Sequence, residues 1–213
     1  MSRDAIRHFV QIRGISFLLH FTRTSNLPSI MKHGICSVEL AQNMNLLPQI
    51  NDRLRLDGCR AATSLSIGFP NYKMFYRYRC DNRSSRWVVL ALHPKILWEK
   101  DCVFCCHNAA SSAVSRRLLS ERRKIEAFME MFAELEGYPS RLSQKLLSYD
   151  PTDVQAEVLV FDTIEPSDIM AAVFENIRDA ADFSDILKGK IVHATKKSED
   201  GFFSSRPYIR GGV

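Results

Sequence analysis

Glu157 is the residue of this chain best placed by its neighbours to do chemistry. It follows the run Asp150-Pro-Thr-Asp-Val-Gln-Ala156 and opens Val158-Leu-Val-Phe161. The second half of this stretch is rich in β-formers and alternates as a strand. Ala156, Val158 and Val160 face one way; Glu157, Leu159 and Phe161 face the other. A carboxylate at the mouth of an apolar strand is costly to bury unless something pairs with it. Two readings are open. One is a rim glutamate paired with a lysine or arginine. The other is a catalytic carboxylate displayed at a loop–strand junction, able to take a proton or stabilise a developing positive charge.

Other residues could serve such a site. His20 interrupts the apolar run Ile15-Ser-Phe-Leu-Leu-His-Phe-Thr22. A lone histidine in an apolar strand is commonly a satisfied core residue; its other use is one oriented hydrogen bond to a ligand lying across the strand end. Asn51-Asp-Arg-Leu-Arg-Leu-Asp-Gly58 is dense in charge. It reads as a solvated loop laced with salt bridges, or as an arginine held by aspartates and aimed at a pyrophosphate, a target that the planar guanidinium matches. Phe69 to Arg79 holds three tyrosines, Phe69, Phe75, Lys73, Arg77 and Arg79. Aromatic residues interleaved with basic ones stack planar rings and hold phosphates, although an amphipathic helix using its aromatics as core gives the same pattern. Cys102-Val-Phe-Cys-Cys-His107 raises the question of zinc, but no second cysteine or histidine pair accompanies it, so buried thiols are expected and no metal.

The elements that must position these residues alternate without a regular βα repeat. Residues 4–13 read as a helix and 15–22 as a buried strand. A helix follows, capped by Ser25 or Asn26, with Pro28 in its first turn and Gly34 at its end. Residues 41–60 look irregular. Strands are expected at 62–67, 86–92, 96–98, 102–104, 156–161, 169–174 and 191–194, and helices at 71–79 and 182–188. The longest helix is expected over 111–136, where Val114, Leu118, Ile125, Phe128, Phe132 and Leu135 recur at threes and fours around one seven-residue gap. Its basic run, Arg116-Arg117 and Arg122-Arg123-Lys124, reads as a solvated face. No glycine-rich dinucleotide fingerprint or phosphate loop is present. The pattern points to α+β with an antiparallel or split sheet.

The 213 residues suit one domain with a substantial core. A net charge of +5 permits a polyanionic partner without requiring one. The N-terminus lacks a signal peptide's apolar core and no apolar run spans a bilayer. A cytoplasmic chain with reduced thiols and no membrane association is the expectation.

Four stretches together resemble the DarT family of bacterial DNA ADP-ribosyltransferase toxins. They are Leu19-His20-Phe21-Thr22 with Asn26-Leu27 and Gly34; Asn51-Asp52-x-x-Arg55-Leu56-Asp57-Gly58; Ser64-Leu-Ser-Ile-Gly-Phe-Pro-Asn-Tyr-Lys-Met-Phe75; and Gln155-Ala156-Glu157-Val158-Leu159-Val160. The resemblance spans residues 18–161. It implies a single domain over 1–213 with an α+β, ADP-ribosyltransferase-like fold: split, mostly antiparallel sheets packed around an NAD cleft, with flanking helices. It implies NAD as co-substrate without a metal, single-stranded DNA as acceptor through thymine or guanine, and a cognate antitoxin.

The resemblance assigns Glu157 and Arg55 to catalysis, with Arg53 as the alternative register for the arginine. It assigns His20, Phe21, Thr22, Asn26, Ser29, Ser37 and Arg55 to the dinucleotide. The loop 147–156 would present the acceptor. Tyr72, Lys73, Tyr76, Arg77 and Arg206 are the candidates for nucleic acid. The competing readings are a non-catalytic single-stranded nucleic-acid-binding module and a related transferase acting on RNA. Cleavage of NAD separates the first from the enzyme, and the acceptor separates the second.

Overall fold

A computed structural model describes residues 3–46, 48–49, 58–196 and 201–211. In chain order the elements are α1 (Arg3–Arg13), β1 (Leu18–Arg23), α2 (Leu27–His33), α3 (Val38–Asn43), β2 (Thr63–Ile67), α4 (Tyr72–Asp81), β3 (Trp87–Leu92), α5 (Ile96–Glu99), β4 (Cys102–Cys105), α6 (Ser112–Ser115), α7 (Leu119–Arg122), α8 (Ile125–Glu130), β5 (Glu157–Val160), β6 (Ile169–Phe174), α9 (Ile177–Phe183), β7 (Ile191–Ala194) and α10 (Arg206–Ile209). The seven strands run in the order β4-β5-β2-β1-β3-β6-β7. All neighbours are antiparallel except β6 and β7, which α9 joins in parallel. The fold is α+β, and a single strand order replaces the two packed sheets that the resemblance implies.

The centre of the sheet is buried on both faces, so its strands are apolar throughout. In β3, Val88, Leu90 and Leu92 enter the larger core. Trp87, Val89 and Ala91 enter a smaller aromatic core with Phe75 of α4 and Phe203 of the tail. The period of two along a strand thus fills two cores at once. Phe75 ties the smaller one together, stacked on Phe21 at 4.6 Å and edge-on to Trp87 at 5.6 Å.

Three expected elements differ. Residues 96–98 form the short helix α5, not a strand. The expected helix 182–188 lies earlier, as α9, because Asn176 caps it by accepting from Asp179 N at 2.9 Å. The long helix over 111–136 is three short ones. Leu118 and Lys124 break it in extended conformation, with ψ of 143° and 157°. Both breaks flank the seven-residue gap in the apolar pattern. Leu118 is exposed while Arg122 turns inward, and neighbouring arginines anchor elsewhere: Arg117 on Glu130 and Arg123 on Asp101. The basic run is therefore not one solvated face.

Gly34 ends α2 at φ 81°, as expected of a helix-terminating glycine. A Cβ there would stand 2.5 Å from the carbonyl oxygen of Ile164, beside the Ile35–Ile164 bridge. Gly34→Ala is expected to cost at least about 1–3 kcal/mol from the left-handed backbone and the clash together, read as a lower urea midpoint at unchanged slope.

Candidate active site

The sheet is split at its middle. β1 and β2 pair only through Leu18↔Ile67 and Leu19↔Ser66. Beyond those pairs β1 runs on with β3 alone, and Thr63 to Leu65 of β2 pair with β5. The strands part there and open a cleft of about 660 Å³, lined by His20, Thr22, Ser37, Ser64, Asn108 and Glu157 among others. That volume lies within the range of small-molecule sites. His20 reaches across the parting, its Nδ1 3.2 Å from the carbonyl oxygen of Ser64. A carbonyl only accepts, so Nδ1 carries the proton and Nε2 of the neutral ring is left as an acceptor. Burial pushes the His20 imidazole below its ordinary value of 6.5, and the Ser64 bond opposes this more weakly.

Glu157 is the first residue of β5. It pairs with Cys105 of β4. The β2–β5 pairing ends one residue short of it, at Leu65↔Val158. The residue is 6% exposed, so it is not a rim glutamate. Asn108 Nδ2 donates to its Oε1 at 2.9 Å, while Asn108 Oδ1 accepts from Ala110 N at 3.0 Å. The amide is held at both ends and fixes the carboxylate in turn. Asn108 escaped the sequence reading. Its only signal was its place one residue after the cysteine–histidine run.

The loop before Glu157 is braced from several directions. Asp150 is fully buried and takes a two-point bond from Arg210 at 2.8 and 2.9 Å. Arg206 donates to the carbonyls of Pro151 at 2.7 Å and Thr152 at 3.1 Å. Arg141 donates to Asp150 O, Thr152 Oγ1 and Leu147 O. Asp153 accepts from His107 Nδ1 and Tyr138 OH, both at 2.9 Å on one oxygen, and from Gln155 N on the other. Burial first and the hydrogen bond to Asp153 second push the Tyr138 phenol up to about 12. His107 thus helps to hold the loop. Gln155 is the one partly exposed residue of 150–160, and it lines the cleft.

The remaining expected residues divide. Phe21, Ser29 and Ser37 line the cleft. Ser37 also caps α3 by accepting from Leu40 N. Asn26 stands at the start of α2 without capping it. Its amide donates to Thr22 Oγ1 and Gln49 O and accepts from Gln49 N, so it ties the segment at Gln49 to β1. Lys73 and Arg77, one turn apart on α4, line the cleft and are exposed, as is Tyr76 outside it. Tyr72 is turned toward Arg206 and Asp153, with its phenol pushed up by burial. Arg206 is 3% exposed and committed to backbone carbonyls, so it is a strut of the loop and not part of a nucleic-acid surface. Arg55 and Arg53 lie outside the described residues.

Three buried polar atoms in the cleft wall have no hydrogen-bond partner among the described residues: Thr63 Oγ1, Asn71 Nδ2 and Ser111 Oγ. No group of three or more His, Cys, Asp or Glu converges among the described residues. Burial raises the thiols of Cys102 and Cys105 to about 12, and Cys105 accepts from Arg122. No disulfide forms among the described residues, and no helix there is long and apolar enough to cross a membrane.

A family model described as "DarT: ssDNA thymidine ADP-ribosyltransferase, DarT" matches residues 19–203. Among solved structures, Thermus sp. 2.9 DarT in complex with ADP-ribosylated ssDNA is similar, with a TM-score of 0.61 and 15% identity over 86% of this chain and 95% of that one. The same protein in complex with NAD+ gives 0.53 and 16% over 85% and 96%. Thermosipho africanus DarTG in complex with ADP-ribose gives 0.56 and 18% over 88% of this chain and 51% of that one. The chain thus spans about half of the Thermosipho chain and nearly all of the Thermus ones. At these identities the structural likeness is one of fold. No curated protein matches the chain in sequence.

Arg206→Met keeps length and removes both carbonyl contacts. It is expected to cost about 3 kcal/mol and to speed amide exchange across 150–156 more than in the β3 strand. The depressed His20 pKa has a defined sign. The unfolded state takes up a proton near 6.5 before the folded state does, so stability is full above 6.5 and falls as pH drops from there. An NMR titration is expected to place the His20 midpoint below 6.5, with the Nδ1–H tautomer above it.

Proposed function

The chain belongs to the DarT family, and on that premise we propose that it transfers ADP-ribose from NAD to a base of single-stranded DNA and releases nicotinamide. Thymidine is the acceptor that the family description names. The observation that carries the reading is Glu157: a carboxylate buried at a strand end, held by Asn108, and opening on a cleft made by the parting of β1 and β2. A module that only binds nucleic acid has no use for such a carboxylate.

The residues suit the chemistry. The bond between the ribose carbon and the nicotinamide nitrogen breaks, and its electron pair leaves with nicotinamide, discharging the pyridinium. The ribose carbon gains oxocarbenium character, which the nearby carboxylate stabilises. A nitrogen of the acceptor base forms the new bond to that carbon, and its proton passes to Glu157 as general base. His20, Phe21 and Thr22 line the cleft where the nicotinamide and its ribose would lie, with Ser29 and Ser37 further along the dinucleotide. Asn26 serves by placing the segment at Gln49. Arg55 would hold the diphosphate. Lys73 and Arg77 would meet DNA phosphates at the mouth, and exposed Tyr76 offers a stacking face for an unstacked base.

NAD is a substrate consumed in each turnover, and no residue role requires a metal. The resemblance further supports a toxin restrained by an antitoxin and acting in the cytoplasm.

The test is incubation of the chain with labelled NAD and pools of single-stranded DNA and RNA. Wild type is expected to label DNA, with mass spectrometry of the nucleosides naming the base. Glu157→Gln should keep the fold and NAD binding and lose transfer by roughly 100- to 10,000-fold. Intact NAD with wild type would leave a binding module, and label on RNA alone would leave the RNA transferase.

A further inference from the structure

Tyr138 is a large ring left at the surface yet held in one place. It is 40% exposed. Its hydroxyl donates to Asp153 Oδ2 at 2.9 Å, and Asp153 is buried. The tip of the side chain is thus tied inward, and what it offers to solvent is ring. His107 stacks on that ring, with centroids 5.3 Å apart and planes 30° from parallel. His107 is itself fixed, through Nδ1 on the same Asp153 oxygen at 2.9 Å. No second ring or guanidinium packs on Tyr138 among the described residues. The pair is a pre-ordered aromatic surface, whose side-chain entropy is already spent before anything binds.

Two short stretches of chain tie this surface to the reacting end of the cleft. Asn108, the residue after His107, lines the cleft and donates to Glu157. Gln155, whose backbone N–H donates to the other oxygen of Asp153 at 2.9 Å, also lines it. These links are one and two residues long, and each residue spans at most about 3.6 Å. Tyr138 itself lies outside the cleft lining, so a molecule that fills the cleft does not occupy it. Tyr72 of α4 is turned toward the same Asp153, and exposed Tyr76 follows it one turn later.

The chemistry narrows the occupant. An immobile, exposed ring takes a planar partner. Glu134 and Glu136 stand just before Tyr138 in the chain and are exposed, so the spot suits the face of an uncharged ring better than a phosphate. Phosphates have Lys73 and Arg77 on α4. A base drawn into a cleft leaves its neighbours in the strand outside and stripped of one stacking partner. Such a neighbour has a bare apolar face within one or two nucleotides of Glu157.

We propose that Tyr138, backed by His107, stacks a base that flanks the acceptor in the single-stranded substrate. The pair is then a second nucleotide site, outside the cleft, and it rests on the transferase reading. It replaces the stacking that the flanking base loses when the acceptor enters.

The test pairs two variants of the full chain, Tyr138→Ala and Tyr138→Phe, with single-stranded oligonucleotides carrying one abasic position at each place around the acceptor. Tm, NAD affinity, and KM and kcat for the oligonucleotide are measured. Tyr138→Ala is expected to raise the oligonucleotide KM by roughly 5- to 150-fold, the range of one stacked base, with NAD affinity near wild type. Tyr138→Phe keeps the ring, loses only the bond to Asp153, and is expected to keep most of the affinity. In wild type, one flanking abasic position is expected to raise KM by a similar factor, and that position is expected to cost Tyr138→Ala nothing more. A wild-type scan in which no flanking position matters overturns the inference without any variant. So does a Phe variant as impaired as the Ala one, because Tyr138 would then act only as a strut of Asp153. An Ala loss that adds in full to every abasic loss overturns it too, and all three leave the transferase reading intact. A wild type that transfers nothing overturns both together.

Discussion

The site depends on two neighbouring strands ceasing to pair. β1 and β2 keep two pairs and then diverge, and a sheet can bear such a split only if the backbone groups left facing the gap find other partners. Part of the solution is His20, whose Nδ1–H reaches the carbonyl of Ser64 across the parting. The rest lies in what each strand does next. β1 remains paired with β3 along its full length, and β2 with β5, so each half is anchored on its far side. The cleft is thus an opening between two well-supported half-sheets, and the floor residues inherit the rigidity of the strands that carry them.

The second support is the loop that delivers Glu157. Its carbonyls turn inward, where no strand neighbour can take them, and arginines take them instead. Arg206 comes from the tail and Arg141 from the segment just before the loop, while Arg210, also of the tail, holds the Asp150 carboxylate. Asp150 supplies the opposing charge from a fully buried position. Further along, Asp153 gathers His107 and Tyr138, and Asn108 beside His107 grips Glu157 itself. Separate hydrogen-bonded groups, joined through adjacent residues of the chain (Thr152 with Asp153, His107 with Asn108), therefore lead from the tail to the carboxylate. Fixed in this way, Glu157 needs little reorganisation as charge develops nearby, which is where an electrostatic group gains most.

Much of this was legible in the chain. The apolar run around His20, the strand opening at Glu157, the helix stop at Gly34 and the α4 segment all show in local pattern, because period and capping are local properties. The broken helix over 111–136 was not legible. Its apolar spacing matches a continuous helix, and only the inward turn of Arg122 and the outward turn of Leu118 decide otherwise. Arg206 was placed on a surface because a buried arginine and an exposed one look alike in sequence. The difference is whether carbonyls from a segment some 55 residues earlier come within reach.

By itself, then, the sequence determined the residue types of the site, the elements that carry them and the family to which they belong. Tertiary structure alone decided the parting of β1 from β2, which His20 bridges, the grip of Asn108 on Glu157, and the bracing of the loop by the tail. Each of these joins residues far apart in the chain, through hydrogen bonds whose geometry exists only once the strands are in register. Local propensity carries no information about such bonds, because their strength depends on which groups have been taken out of water together.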